Sequence, residues 1–237
     1  MKRYFYLILY LSFSISCGNP SDEEPNEILN ESDEFILCNN ITTDCRDGNG
    51  TYCLNGFKWG NTNPLAVAGE NVQGPQEPVD TITYSFQEEN GFVNTHAQVD
   101  LPSKSFDLLP NCVKSEVRSA LNAWSSVANI AFKELQDNSE SDIRLFVADI
   151  RQSGVGFPNF PDSPCDIMGG DLIIQTNIWT TDCNILHNFF LHEIGHVLGL
   201  GHVGTANIMT ANFTTIEDLE GLQSGDIEGI VQLYGPR

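Results

Sequence analysis

The segment HEIGHVLGLGH, residues 192–202, constrains this chain more than any other feature of its sequence. His192 and His196 stand four residues apart, a spacing that places two side chains one above the other on the same face of an α-helix. Two imidazoles on adjacent turns can bind one metal ion. Glu193 lies one residue off that face, so its carboxylate is better placed to reach a water molecule beside the metal than to bind the metal itself.

The spacing of six to the next histidine requires a break in the helix. Gly199 permits that break, because glycine adopts left-handed backbone conformations without steric cost. The reversed chain can then bring His202 back as a third ligand. A structural zinc site is closed by a fourth protein ligand, commonly cysteine, and we expect the nearest cysteine, Cys183, to form a disulfide. Three histidines with one open position therefore indicate a catalytic zinc site.

Periodic patterns elsewhere predict helices and strands in one α+β domain. Apolar residues at helical spacing predict a helix over 110–128, and two more helices are expected over 184–198 and from residue 224 to Gly235,. The strand-like stretches are 81–86, 130–135, 142–149 and 171–176. We expect a twisted mixed sheet, an active-site helix and a C-terminal helix within residues 54–237.

The amino terminus has the pattern of an export signal. Two basic residues precede an apolar run that is too short to span a bilayer, so residues 1–16 are interpreted as a signal peptide,. Cys17 follows in a context that resembles the lipobox of bacterial lipoproteins, with plain secretion as the alternative. Residues 17–37 are then an acidic linker, either a solvated tether or an export signal like that of surface lipoproteins. This predicts a protein of the bacterial cell envelope, anchored by lipid on Cys17 to the outer membrane and exposed at the surface.

Six cysteines remain once Cys17 is assigned to lipid. In an oxidising compartment they most simply form three disulfides, whose pairing the sequence leaves open. Three of the six fall within 38–53, which we interpret as a cross-linked lead-in to the catalytic domain.

The chain has 11 basic and 32 acidic residues, a net charge of −21. This charge repels nucleic acid and anionic lipid headgroups, so nucleic acid is not expected as a partner and any membrane contact is expected to be through the lipid anchor on Cys17. We expect a soluble, monomeric domain.

The histidine segment and its surroundings resemble the metzincin metallopeptidases, and in particular their matrixin branch. Beyond the zinc motif, the resemblance rests on FKWG, ITYSF, ALNAWSSVANIAFKEL, SDIRLFVA, ANIMT and LQSGDIEGIVQLYG, and it extends over about 54–237. It implies a Met-turn in which Met209 lies beneath the metal and Asp226 supports the turn. It also implies an extended polypeptide substrate that pairs with the strand at 171–175 and the loop before it.

The resemblance implies a zinc-dependent endopeptidase acting on extracellular proteins, with Glu193 as general base. Astacin-like relatives use a tyrosine as an extra zinc ligand, but this chain has Thr210 at that position, so three histidines are the expected ligands. Ile173 occupies a ligand position of the second, structural zinc of matrixins. One catalytic zinc ion is therefore expected. The resemblance also implies calcium as a cofactor, but no cluster of potential calcium ligands in the sequence supports it. The cysteine motif whose unpaired thiolate keeps matrixins latent is absent. Cys45 is the one other cysteine that could bind the zinc ion as a free thiolate. The competing function is a surface-anchored zinc-containing binding or adhesion module without turnover.

Overall fold

A mixed β-sheet and two long helices organise the chain, which the computed structural model describes for residues 38, 40–95, 100–137, 140–177 and 182–237. The strands are β1 (Cys53–Leu54), β2 (Gly69–Glu70), β3 (Ile82–Phe86), β4 (Gly91–Asn94), β5 (Asp100–Lys104), β6 (Phe132–Glu134), β7 (Ile143–Ala148), β8 (Gly154–Gly156) and β9 (Asp171–Gln175). The α-helices are α1 (Val113–Val127), α2 (Cys183–Leu198), α3 (Phe213–Glu217) and α4 (Ser224–Tyr234).

The main sheet runs in the order β6-β3-β7-β9-β8. Its first four strands are parallel, and β8 joins β9 in the antiparallel sense. The antiparallel hairpin of β4 and β5 continues the sheet beside the end of β7. Parallel neighbours need long crossovers, and the connection from β3 to its parallel neighbour β6 contains both the hairpin and α1.

The helices follow their hydrophobic patterns. In α1 the residues at helical spacing, among them Val117, Leu121 and Trp124, are buried. The indole N–H of Trp124 donates to the carbonyl of Leu191 at 3.1 Å, which ties α1 to α2. Each of the three predicted helices is present, and the predicted α+β class with a zincin-like mixed sheet is confirmed.

Three disulfides form, as the sequence predicts. They join Cys38 to Cys165, Cys45 to Cys53 and Cys112 to Cys183. The alternative in which Cys45 is a free thiol ligand is therefore wrong, because its sulfur is bonded to Cys53.

The lead-in packs into the same core as the rest of the described chain. Cys45, Tyr52 and Cys53 are buried in the main hydrophobic cluster, beside residues of α2 and α4. Lys58 is also fully buried, and its ammonium donates to the carbonyl of Leu233 at 3.1 Å, near the end of α4. The segment that follows the lead-in is therefore in direct contact with the end of α4.

The predicted signal peptide, Cys17 and the acidic linker lie outside the described residues, so they stay predictions. None of the helices in the described part of the chain is long and apolar enough to cross a bilayer.

Candidate metal centre

Helix α2 supplies the first two histidines and ends where the chain reverses. Gly199 has a φ of +113°, and a Cβ atom there would lie 2.2 Å from the carbonyl oxygen of Phe57. Both the backbone conformation and the close approach therefore require glycine at this position. The N–H of Leu200 closes the last turn by donating to the carbonyl of Gly195 at 2.9 Å.

Other segments satisfy the carbonyl groups at the end of α2, which have no partner within the helix. The indole N–H of Trp59 donates to Val197 at 3.1 Å, and the hydroxyl of Tyr234 donates to Leu198 at 2.7 Å. The backbone N–H of Asn55 donates to Gly199 at 2.9 Å. The reversal that carries the third histidine back is therefore held from three directions.

The three imidazoles converge. The Nε2 atom of His196 lies 3.0 Å from Nε2 of His192 and 3.2 Å from Nε2 of His202. Within the described residues, these three form the one group of potential ligands whose atoms all lie within 4.8 Å of one another. The structure thus brings together all three predicted metal ligands.

The opposite nitrogen of each ring faces an oxygen. Nδ1 of His192 lies 2.7 Å from the carbonyl of Ile208, and Nδ1 of His196 lies 2.8 Å from the carbonyl of Leu200. Nδ1 of His202 lies 3.0 Å from a carboxylate oxygen of Asp44. Since these oxygens only accept hydrogen bonds, each Nδ1 carries the proton and each Nε2 presents a lone pair.

Burial keeps the first two rings neutral. Together with repulsion from His202, it lowers the pKa of His192 to about 4. Burial and the two neighbouring imidazoles lower the pKa of His196 well below its ordinary value. Neutral imidazole is the form that binds metal.

The donor set fits zinc. Two nitrogens, each about 2.05 Å from a tetrahedral zinc ion, are about 3.3 Å apart, close to the separations seen here. Three lone pairs that face one another at such distances repel unless a cation lies between them. Zinc is the metal that typically takes three nitrogen donors and leaves a fourth position open.

Glu193 lies beside the triad at the base of a cleft. Its side chain is buried, and burial raises the pKa of its carboxyl to about 8, while a hydrogen bond from the backbone N–H of Gly156 acts in the opposite direction. The cleft has a volume of about 360 Å³ and is lined by all three histidines, Glu193 and the backbone of β8. A proton acceptor and a metal site therefore face the same open space.

Met209 and Asp226 lie beneath the triad. Met209 packs so closely on α2 that a Cβ atom at Gly195 would lie 2.3 Å from its sulfur. The carboxylate of Asp226 accepts the backbone N–H groups of Ile208 at 2.9 Å and Met209 at 3.1 Å, and that of Gln223 at 2.8 Å. The turn at Met209 is therefore held by a buried carboxylate on α4.

Strand β8 lies closer to the triad than β9. A Cβ atom at Gly156 would lie 2.2 Å from the backbone oxygen of Glu193, so only glycine allows β8 to pack on α2 here. Strand β9 pairs with β7 and β8, one on each side, so the expectation that 171–175 offers an edge to a substrate is wrong for that strand. The free edge belongs to β8, which lies in the segment before β9. Among the described residues, no strand pairs with the outer side of β8.

The remaining histidines lie apart from the triad. His187 lies on α2 with Nδ1 3.3 Å from a carboxylate oxygen of Glu116, and His96 is outside the described residues. Three residues at the site are not predicted from the sequence: Asp44, Gly156 and Gly195. Of these, only Gly195 carries a local signal, because glycine inside a helix costs about 1 kcal/mol relative to alanine and often marks a close approach.

Comparisons with known proteins agree with this geometry. The chain is 31% identical to stromelysin-1 of Equus caballus over 159 residues, which cover 60% of this chain and 32% of that protein. It is 27% identical to metalloendoproteinase 1-MMP of Arabidopsis thaliana over 172 residues, covering 66% of this chain and 44% of that protein. With matrix metalloproteinase-26 of Homo sapiens it shares 29% over 147 residues, covering 55% and 54%.

The chain thus spans between about a third and half of the length of these relatives. The family model described as Matrixin matches residues 91–235, which contain the three histidines, Met209 and Asp226. Because this match covers more than half of the residues, the chain belongs to the matrixin family.

Proposed function

We propose that this protein is a zinc-dependent endopeptidase that hydrolyses peptide bonds of extracellular protein substrates. The observation that carries this proposal is the convergence of three imidazole Nε2 atoms at the base of an open cleft, with Glu193 beside them. Family membership supports it, since the relatives include proteins named as metalloendoproteinases and a collagenase.

His192, His196 and His202 would hold one zinc ion. When bound, zinc acts as a Lewis acid that polarises a carbonyl group and lowers the pKa of a water molecule. The Nδ1 hydrogen bonds would keep the three rings neutral and fix their orientation, so that each Nε2 lone pair points at the metal position.

Glu193 would move the proton. As general base, its carboxylate takes a proton from the water molecule that attacks the scissile carbonyl, and it then gives that proton to the leaving amine. A buried carboxyl suits both steps, because burial, which raises its pKa to about 8, makes it a stronger base than an exposed carboxylate while its protonated form is still acidic enough to return the proton to an amine,.

The substrate would bind as an extended strand along β8. Among the described residues no strand pairs with the outer edge of β8, which lies beside the triad, and such edges bind extended peptides by adding a strand,. Gly154 and Gly156 let β8 pack directly on α2, because a Cβ atom at either position would collide with Phe189 or with the backbone of Glu193.

Glu193→Gln tests the proposal. We expect the variant to keep its bound zinc and to lose between about 10²- and 10⁴-fold in the rate of casein cleavage, since the amide cannot accept the proton. His187→Gln is the matched control, because His187 lies on the same helix but points away from the triad. Zinc content and casein cleavage are measured for both variants and for the parent protein.

Two results would contradict the proposal. A Glu193→Gln variant that cleaves casein at the parent rate would remove Glu193 from the mechanism. A parent protein that binds zinc but cleaves neither casein nor a peptide library would instead favour the binding or adhesion module.

We further infer an exported lipoprotein with four segments: a signal peptide over 1–16, a lipid-anchored linker over 17–37, a lead-in over 38–53 and a catalytic domain over 54–237. The apolar run and the context of Cys17 in the sequence support the anchor. Cys17→Ser should abolish incorporation of labelled fatty acid and release the protein from the membrane fraction. The released protein should sediment as a monomer in analytical ultracentrifugation.

A further inference from the structure

His202 differs from the other two histidines in the partner of its Nδ1 atom. His192 and His196 face neutral backbone carbonyls, whereas Nδ1 of His202 lies 3.0 Å from Oδ2 of Asp44. A hydrogen bond to a carboxylate is roughly twice as strong as one to a neutral oxygen. The third ring of the triad is therefore held by a charge that comes from the lead-in.

Asp44 is itself fixed. The backbone N–H of Arg46 donates to Oδ1 at 2.9 Å, and its guanidinium donates to Oδ2 through Nε at 2.8 Å and through a second nitrogen. Arg46 thus holds both carboxylate oxygens of Asp44 and leaves Oδ2 directed at the imidazole of His202.

The backbone around Asp44 is anchored to the loop that carries His202. The N–H of Cys45 donates to the carbonyl of His202 at 3.1 Å, and the N–H of Thr43 donates to the carbonyl of Asn55 at 2.8 Å. A Cβ atom at Gly201 would lie 2.5 Å from the carbonyl oxygen of Thr43, so the two segments are in close contact. With the disulfide from Cys45 to Cys53, this leaves Asp44 little freedom to move away from His202.

We propose that Asp44 is a positioning residue that holds His202 for metal binding, which makes the lead-in a permanent part of the metal centre. This inference rests on the proposed zinc site. A carboxylate behind a metal-binding histidine fixes the tautomer and orientation of the ring and raises its basicity, and loss of such a partner typically costs 10- to 100-fold in metal affinity.

Two substitutions in the full chain test the role of Asp44. Asp44→Ala removes the acceptor, and we expect the dissociation constant for zinc to rise about 10- to 100-fold in competition with a chromophoric chelator. Asp44→Asn retains an oxygen but no charge, and it should give a smaller rise. The visible absorption of the cobalt(II)-loaded protein should change in both variants, because the spectrum reports the geometry of the ligands.

Asp47→Asn is the control, since Asp47 is an exposed acid in the same segment whose charge also acts on Arg46. It should bind zinc as the parent does. Thermal unfolding of the metal-free proteins separates positioning from structure: Asp44→Ala should unfold at the parent temperature. A loss of metal-free stability that accounts for the weaker binding would overturn the proposal.

Equal zinc affinity for Asp44→Ala and a zinc-binding parent would also overturn it, while leaving the proposed peptidase intact. A parent protein that binds no zinc would overturn both. The cleavage assay is not needed for any of these readings, so failure of the inference and failure of the proposed function are distinguishable.

Discussion

Asp226→Ala should be among the most destabilising substitutions in the chain. The side chain is 1% exposed and accepts three backbone N–H groups, from Ile208, Met209 and Gln223. Each buried donor left without an acceptor costs about 1–3 kcal/mol. Burial raises the pKa of Asp226, so the carboxylate itself is costly to bury, and its removal offsets part of the loss,. We expect the free energy of unfolding to fall by about 3–4 kcal/mol.

The assay is urea unfolding with the disulfides intact, followed by tryptophan fluorescence. With a urea dependence of about 2 kcal/mol per molar, the midpoint should fall by about 1.5–2 M. The midpoint should fall by less in Asp226→Asn, because the amide oxygen can still accept hydrogen bonds from two of the three backbone N–H groups. Glu228→Ala is the control on the same helix; its exposed carboxylate accepts a hydrogen bond from the hydroxyl of Thr51 at 2.9 Å, and its loss should cost below about 1 kcal/mol. The reasoning is refuted if Asp226→Ala costs less than Glu228→Ala.

Four further predictions concern other features of the fold. Gly199→Ala should destabilise far more than Gly221→Ala, since both have positive φ but only Gly199 has a backbone oxygen 2.2 Å from the added Cβ; urea midpoints of the two variants decide this. Replacing Cys112 and Cys183 with alanine should cost about 4 kcal/mol in the same assay, because their disulfide closes a loop with a sequence separation of 71,. Zinc at 100 times its dissociation constant should stabilise the protein by about 2.7 kcal/mol, and a chelator should reverse this in thermal unfolding. Burial raises the pKa of Tyr234, so the folded protein keeps a proton that the unfolded chain releases near pH 10. The free energy of unfolding should therefore be constant below that pH and fall above it, and it should fall less in Tyr234→Phe.

The parts of the site that depend on nearby residues could be predicted from the sequence. The offset of four between His192 and His196 needs only helix geometry, and the role of Gly199 follows from the steric freedom of glycine. The class of the fold follows for the same reason, since apolar periodicity within α1 and the strands is a local property.

The parts that depend on distant residues could not be predicted. Asp44 meets His202 across a sequence separation of 158 residues, and no periodic pattern marks such a contact. Strand β8 has three residues, two of them glycine, so it shows no alternation of polar and apolar side chains. The pairing of the cysteines depends on the three-dimensional path of the chain, which spacing alone does not determine.

The hydrogen bonds at the end of α2 make its geometry depend on residues that are distant in the sequence. Tyr234 donates to the carbonyl of Leu198, and Leu233 supplies an acceptor for the buried ammonium of Lys58. A substitution in the last turn of α4 can therefore loosen the helix that bears His192 and His196 without changing any imidazole. A random-mutagenesis screen for loss of metal binding should accordingly recover variants in α4 as well as in the histidine segment.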